Sequence, residues 1–442
     1  AGSTDVGNPG TVPPQDPSQS LAPNVSAEED DVAQDQGEGL PFPSSPGASI
    51  DDALDDLVSS PINAGDLGQS CQASTDSSPI TSQSTGLPGL GIRNPVHVVT
   101  GNKYQAETDL VALPGALGLR FTRHYNSQSP YNGPLGHHWR HSYDVHLTYD
   151  AKTDRYGLIQ ADGRRLDFHA SETTTQYRTR LPSDGWLEVN ETHRRWHWRN
   201  GQQLMFDREG LLTDIKQADG QRVHLQYNRQ NRVFLIRDPQ GRELGLGYYP
   251  NGRLKHIQDP NGQLSRYRYD KKGNLKSVTY PDGTTRYYHY EDARHRHHLT
   301  GITNERGIRD ATYGYDDQGR AILTTHVLNT QYATLDYSVP GQTTVTDSQG
   351  RESIYYTDVR HGMALVTAIK GPGCSECGRG DVQYHYNDAL QLTEVIRKDG
   401  SSLSYAYDDQ GRTLDIKHHA GGETRLVAHY DYEGNLNKPR RI

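Results

Sequence analysis

The sequence predicts an all-β repeat protein: an array of short β-hairpins that stack on one another, preceded by a disordered acidic segment. Three observations predict it. Turn glycines at Gly220, Gly241, Gly262 and Gly283 step by 21 residues. Aromatics that end alternating runs fall at Tyr227, Tyr249, Tyr269 and Tyr290. The hydrophobic fraction is 32%, with 28 Tyr against 5 Phe and 2 Met. A fixed period of this size marks a repeat architecture, in which each unit buries its apolar face only against its neighbours. Tyr combines a large ring with a polar tip, which suits a thin wall wetted on both faces better than a thick dry core.

Residues 1–92 form the first segment. They hold 14 Asp and Glu and no Lys, Arg or His, so they carry −14 of a net −9 and leave the remainder at +5. Pro, Ser, Gly and Gln dominate, which predicts disorder. Within it, Ile50, Leu54, Leu57 and Val58 share one face of a short helix over 50–58, with Asp51, Asp52, Asp55 and Asp56 in its first turns. Acidic side chains there complement the helix dipole. The helix is either transient within a linker or a docking element for a partner, a chaperone or the protein's own shell.

The second segment, 93–148, opens with a short strand in Asn94-Pro95-Val96-His97-Val98-Val99 and a turn at Thr100-Gly101-Asn102-Lys103. Leu119 to Ser127 alternates and predicts a strand with one buried face. Gly133-Pro134-Leu135-Gly136-His137-His138-Trp139 is a turn into the next strand, His141 to Tyr149.

The third segment, 149–442, is the array, incomplete at its C-terminus. Tyr156, Tyr177 and Trp198 are 21 apart, as are Tyr386 and Tyr407. Asp-Gly or Asn-Gly pairs recur at Asp162-Gly163, Asp184-Gly185, Asn200-Gly201, Asp219-Gly220, Asn251-Gly252, Asp282-Gly283 and Asp399-Gly400. Such pairs predict type I′ hairpin turns with positive φ at both central residues. Each repeat thus reads strand, turn, strand, turn. In Tyr269-Asp270-Lys271-Lys272-Gly273-Asn274-Leu275 the Asp caps the turn amides and the Gly supplies the turn conformation. Tyr315-Asp316 with Gly319, and Tyr407-Asp408 with Gly411, repeat the pattern.

These residues resemble the start of an Rhs (YD-repeat) protein of the bacterial polymorphic-toxin kind. An NPV-x-x-x-TGNK opening, an LRF-x-R-x-YNS strand and a G-x-LG-x-GW turn precede the repeats in that family, and all three are present in this sequence. His138 departs from the pattern by replacing the Gly before Trp139. A positive φ there makes His costly by roughly 1 kcal/mol. His298-Leu299-Thr300-Gly301-Ile302-Thr303-Asn304-Glu305-Arg306-Gly307 also resembles a YD-repeat signature. The resemblance covers about 350 residues from Arg93 onward. It implies a sheet that spirals into a hollow cocoon enclosing a C-terminal toxin, commonly delivered by type VI secretion in interbacterial competition. The implied partners are the remainder of the shell and its toxin, with a secretion spike protein or a chaperone. The implied localisation is the bacterial cytoplasm, then secretion or translocation into a target cell. The family's spike domain, DP-x-GL-type autocleavage site and toxin are missing from the sequence, so it reads as part of a larger shell or a truncated product.

No enzyme, cofactor or nucleic-acid partner is expected. No nucleophile stands beside a base, and no phosphate-cradling loop precedes a helix. No apolar run is long enough for a transmembrane helix, and residues 1–5 lack the n-region and h-region of a signal peptide. Cys374 and Cys377 are weak metal candidates. One Cys-x-x-Cys supplies half a tetrahedral zinc site, and a local disulfide or a reduced pair in a glycine turn competes with it. His295 and His297 read as a solvated loop or as two metal ligands on one strand face. Arg194-Arg195-Trp196-His197-Trp198-Arg199 has the basic–aromatic interleaving of single-strand binders, but it also fits a strand with a polar face. Arg379-Gly380-Asp381 is a tripeptide that recurs by chance, and the glycosylation sequons at Asn24 and Asn190 matter only in a eukaryotic secretory setting. Two rival functions remain: a surface adhesin or carbohydrate-binding YD protein, and a self-cleaving Rhs protein processed at its termini.

Overall fold

The computed structural model describes residues 91, 92, 96–171, 176–181, 184–198, 201–326, 331–360, 363–374, 378–434 and 439–441. All of them fall within the unit Leu40–Ile442. The 50–58 helix with Ile50, Leu54, Leu57 and Val58, the rest of 1–90, and Cys377 lie outside the described residues.

Among the described residues every regular element is a strand. Twenty-seven of them, from His146–Asp150 to Glu423–His429, belong to one antiparallel sheet. Each pairs with its sequence neighbour, except that Met363–Lys370 passes over a two-residue hairpin to reach Val382–Tyr386. The sheet closes on itself early. Leu147 N donates to Gly210 O (3.0 Å), and His146 bridges Leu211. The first strand of the sheet thus meets the turn between Gln203–Phe206 and Leu212–Lys216.

Alternation sets the two faces. In Arg222–Tyr227, Val223 and Leu225 are buried while Arg222 and His224 face outward. One apolar cluster runs without a break from Val96 to Ala428.

Successive turns lie at opposite rims of the sheet. One rim carries the glycines that step by 21, and these turns correct the expected type I′ geometry. Gly220, Gly241, Gly262 and Gly283 have φ of 80–88°, while the preceding Asp219, Gln240, Asn261 and Asp282 do not adopt positive φ. Gly220 N donates to Gln217 O, and Gln217 N to Gln221 O. The turn is a type I bend closed by one left-handed residue, which needs a single glycine.

The other rim carries the Tyr-Asp turns. Each Tyr sits at a β-bulge, opposite the first residue after the turn: Tyr227 opposite Val233, Tyr248 opposite Leu254, Tyr269 opposite Leu275 and Tyr407 opposite Thr413. Tyr248, not Tyr249, is the repeat position, so the step is 21 throughout. Tyr249 takes the place of the Asp, with its N bonded to Arg253 O.

Candidate functional site: the rim covered by the opening module

The bulge explains the tyrosine. It leaves a strand-end carbonyl without a ladder partner, and the next repeat's phenol supplies one. Tyr227 donates to Leu212 O (2.8 Å), Tyr248 to Val233 O (2.6 Å), Tyr269 to Leu254 O (2.9 Å) and Tyr315 to Leu299 O (2.7 Å). Tyr407 donates to Leu392 O (2.5 Å). Each repeat is thereby fastened to the one before it.

The aspartates act within their own turns. Asp270 Oδ1 accepts from Lys272 N (2.8 Å) and Asn274 N (2.9 Å). Asp316 and Asp408 do the same and add an ion pair from Oδ2 to Arg320 Nε (2.7 Å) and to Arg412 Nε (2.6 Å). Gly273, Gly319 and Gly411 take the left-handed position, with φ of 75–82°. At the same position the turn after Tyr386 has Leu390 at φ 62°. Its side chain is fully buried against Leu181 and Leu365, which offsets the backbone strain.

The opening module lies across this rim. Tyr104–Leu110, Phe121–Asn126 and Trp139–His141 form a three-stranded sheet. Its backbone reaches one Tyr-Asp turn after another. Leu254 N donates to Pro134 O (2.8 Å) and Ala321 N to Gly101 O (2.8 Å). Leu299 N donates to the Tyr125 hydroxyl (2.8 Å). Gly136 passes so close to the 270–274 turn that an added Cβ would sit 2.5 Å from Gly273 O. The far end of the hairpin grips the opposite rim, where Arg242 Nη2 donates to Pro114 O (2.8 Å).

Between the two rims the contact is polar and buried. Arg123 and Asp109 form a bidentate pair (2.7 and 2.8 Å), and both side chains are fully buried. Tyr267 donates to Asp109 Oδ2 (2.7 Å), and Arg123 Nη2 donates to the Tyr288 hydroxyl (2.9 Å). Burial works against the Arg123 charge, but Asp109 and Tyr288 outweigh it and raise the pKa well above the ordinary value. Arg286 bridges Glu107 (2.6 Å) and Glu305 (2.8 Å). Trp139 Nε1 donates to the Tyr290 hydroxyl (3.0 Å).

His138 stands at φ 67°, the left-handed conformation in which Gly costs least. Its N donates to Tyr131 O (2.8 Å), and its Nδ1 lies against Ser129 O. The loop around His295 and His297 joins two strands and is partly solvated, with Ala293, Arg294 and Arg296 exposed, but its half-buried histidines have partners. His297 stacks on His137 with ring centroids 3.6 Å apart, and its Nδ1 bonds Asn274 Oδ1 (2.7 Å). His295 Nε2 bonds Asp316 O (2.9 Å). Among the described residues, no three His, Cys, Asp or Glu side chains converge as a metal site. Cys374 pairs through its backbone with Gly378. Trp196 is fully buried, and its Nε1 donates to Asp184 O (2.8 Å), so that aromatic belongs to the core.

Asp109, Glu107, Arg123 and Arg286 were not singled out in the sequence. A signal existed for one of them: Arg123 shares a strand face with Phe121 and Tyr125, so a charge had to be buried with them.

Two family descriptions match the chain. A domain of unknown function (DUF6531) matches residues 93–168, and the RHS Repeat matches residues 206–243 and 248–285. A probable deoxyribonuclease RhsB of Dickeya dadantii (strain 3937) is 26% identical over 349 residues, which make up 77% of this chain and 23% of that protein. The chain thus spans under a quarter of that relative's length. Among solved structures, a crystal structure of TcdB2-TccC3 has a TM-score of 0.34 at 11% identity, covering 65% of this chain and 17% of that one. A Tc holotoxin pore from Photorhabdus luminescens has a TM-score of 0.32 at 14% identity, covering 73% and 18%.

Proposed function

Since the chain belongs to the Rhs (YD-repeat) family, we propose that it is a non-enzymatic length of shell wall whose work is to enclose a toxic polypeptide. The proposed division is an opening module over 93–148 and an array over 149–442. One observation carries the reading: the opening module bonds at Leu254, Leu299 and Ala321 to successive turns of one rim and packs on Gly273 between them. Turns covered by backbone hydrogen bonds and a buried ion pair suit a barrier better than a binding cleft.

The mechanism is steric. A closed β wall keeps the toxin from its producer until delivery. The proposal includes the rest of the shell and the toxin as partners, and a spike protein or chaperone during export. It includes the route as well, type VI secretion from the bacterial cytoplasm into a competing cell.

Electron microscopy of the complete gene product tests the reading. A hollow particle, with these residues in its wall, is the expected result. A solid globule or an extended rod counts against it.

A further inference from the structure

Four imidazoles meet where the opening module crosses the Tyr-Asp rim. His137 and His138 come from the 129–139 turn, and His297 and His298 from the 292–299 loop. His137 and His297 are stacked, with planes 19° apart. His138 meets His297 and His298 edge-on, with centroids at 6.2 and 5.6 Å. His298 also packs on His295 (4.8 Å) and on Tyr315 (4.7 Å). Stacked rings present faces to one another, not nitrogens, so this contact is built for neutral rings.

We propose that these histidines form an acid-operated latch between the opening module and the array, shut while neutral and opened by protonation. The surroundings set the direction. His138 and His298 are pushed down to about 4, first by burial, with His298, His137 and His297 adding at His138 and His295 and His297 adding at His298, against the Ser129 and Gly319 backbone groups. Asp292 favours the charged form of His298. His137 and His297 are lowered too, by burial first. Arg253 adds to this at His137, and His137 itself, Arg296 and Lys272 add to it at His297, while Asp270 opposes at both. Charged groups of both signs therefore face the cluster, and burial decides the balance.

A group with a lowered folded-state pKa stabilises the closed form above its free value near 6.5. That stabilisation is lost as pH falls from 6.5 toward 4. The first histidine to take a proton repels a second across the stack, which makes opening cooperative.

The latch does not depend on the enclosure reading. Hydrogen exchange of the full 442-residue chain at pH 7.5 and pH 5.0, corrected for intrinsic rates, tests it. Amides in 129–139 and 295–300 are expected to open at least about thirtyfold more at pH 5.0, the factor that a single histidine at about 4 when closed and 6.5 when open supplies there. Those of Leu264–Tyr269 should not change. The quadruple variant H137Q/H138Q/H297Q/H298Q should remove most of the difference in these segments, and H224Q, on the array strand Arg222–Tyr227, should leave it intact. An unchanged wild type, or an acid response in these segments undiminished in the quadruple variant, overturns the latch. Wild-type titration of 13C-labelled histidines is independent of any variant. Midpoints for His138 and His298 well below 6.5 support the latch, and midpoints at or above 6.5 overturn it.

Discussion

Trp139 donates its indole N–H to the phenol of Tyr290 across 151 residues of sequence, at 3.0 Å. Other repeat tyrosines turn their hydroxyls to the preceding repeat, and this one receives the opening module. Trp139→Phe keeps a ring in the pocket and removes the donor, so it should cost about 1 kcal/mol. Trp139→Ala also empties a fully buried site and should cost about 3–5 kcal/mol. Urea midpoints of the two variants, compared at equal slope, check the ratio.

Arg123 and Asp109 form the buried pair on which the seam depends. Asp109→Asn leaves a buried guanidinium short of its counter-charge and should destabilise by about 3–5 kcal/mol. The double variant Asp109→Leu/Arg123→Met should recover much of that loss, because replacing both charges by apolar groups removes the desolvation penalty. A double-mutant cycle in urea measures the coupling. Equal loss in single and double variants would show that packing, not charge, dominates.

The tyrosine relay predicts a selective effect. Tyr248→Phe removes the bond to Val233 O and should cost about 1 kcal/mol. Tyr287→Phe, on a residue 41% exposed, should cost nothing measurable. Hydrogen exchange should place the Tyr248 effect in strands Val233–Arg237 and Glu243–Tyr248, because repeat stability is built from nearest neighbours.

Acid should loosen the opening module before the array. His97 and His124 are pushed down to about 4, chiefly by burial, as are His138 and His298. Each is neutral when folded and protonates near 6.5 when unfolded, so folding stability falls between pH 6.5 and pH 4. Thermal midpoints should drop across that window, and His97→Gln with His124→Gln should flatten the drop.

Gly210 predicts the strength of the contact between the first strand of the sheet and the 207–211 turn. A Cβ there would lie 1.9 Å from Leu147 O, in a backbone already at φ 84°. Gly241 has a similar φ of 80° and open space around it. Gly210→Ala should therefore destabilise well beyond the roughly 1–2 kcal/mol of left-handed strain expected for Gly241→Ala. Paired thermal unfolding curves give the comparison.

The repeat was legible in the sequence because its signals are local. A 21-residue step, one Gly per turn and Asp beside Tyr all act within a few residues. The same locality misplaced the repeat tyrosine at Tyr249, because two adjacent tyrosines look alike until the bulge selects Tyr248. Turn type was misjudged for a related reason: Asp-Gly fits two hairpin geometries, and only the pairing of the next residue distinguishes them. The seam was not legible. Its partners, such as Gly101 with Ala321 or Asp109 with Tyr267, are brought together by the winding of the sheet, which no local pattern encodes. The stacking of His297 on His137 was not legible for the same reason, since the two lie 160 residues apart.

Enclosure is the central claim, and protection from protease tests it most directly. The complete gene product carrying these 442 residues is digested under native conditions, with the region beyond the array followed by mass spectrometry. Survival of that region until the wall is denatured is the predicted result. Digestion at the rate of an unfolded control, with the wall intact, would contradict it.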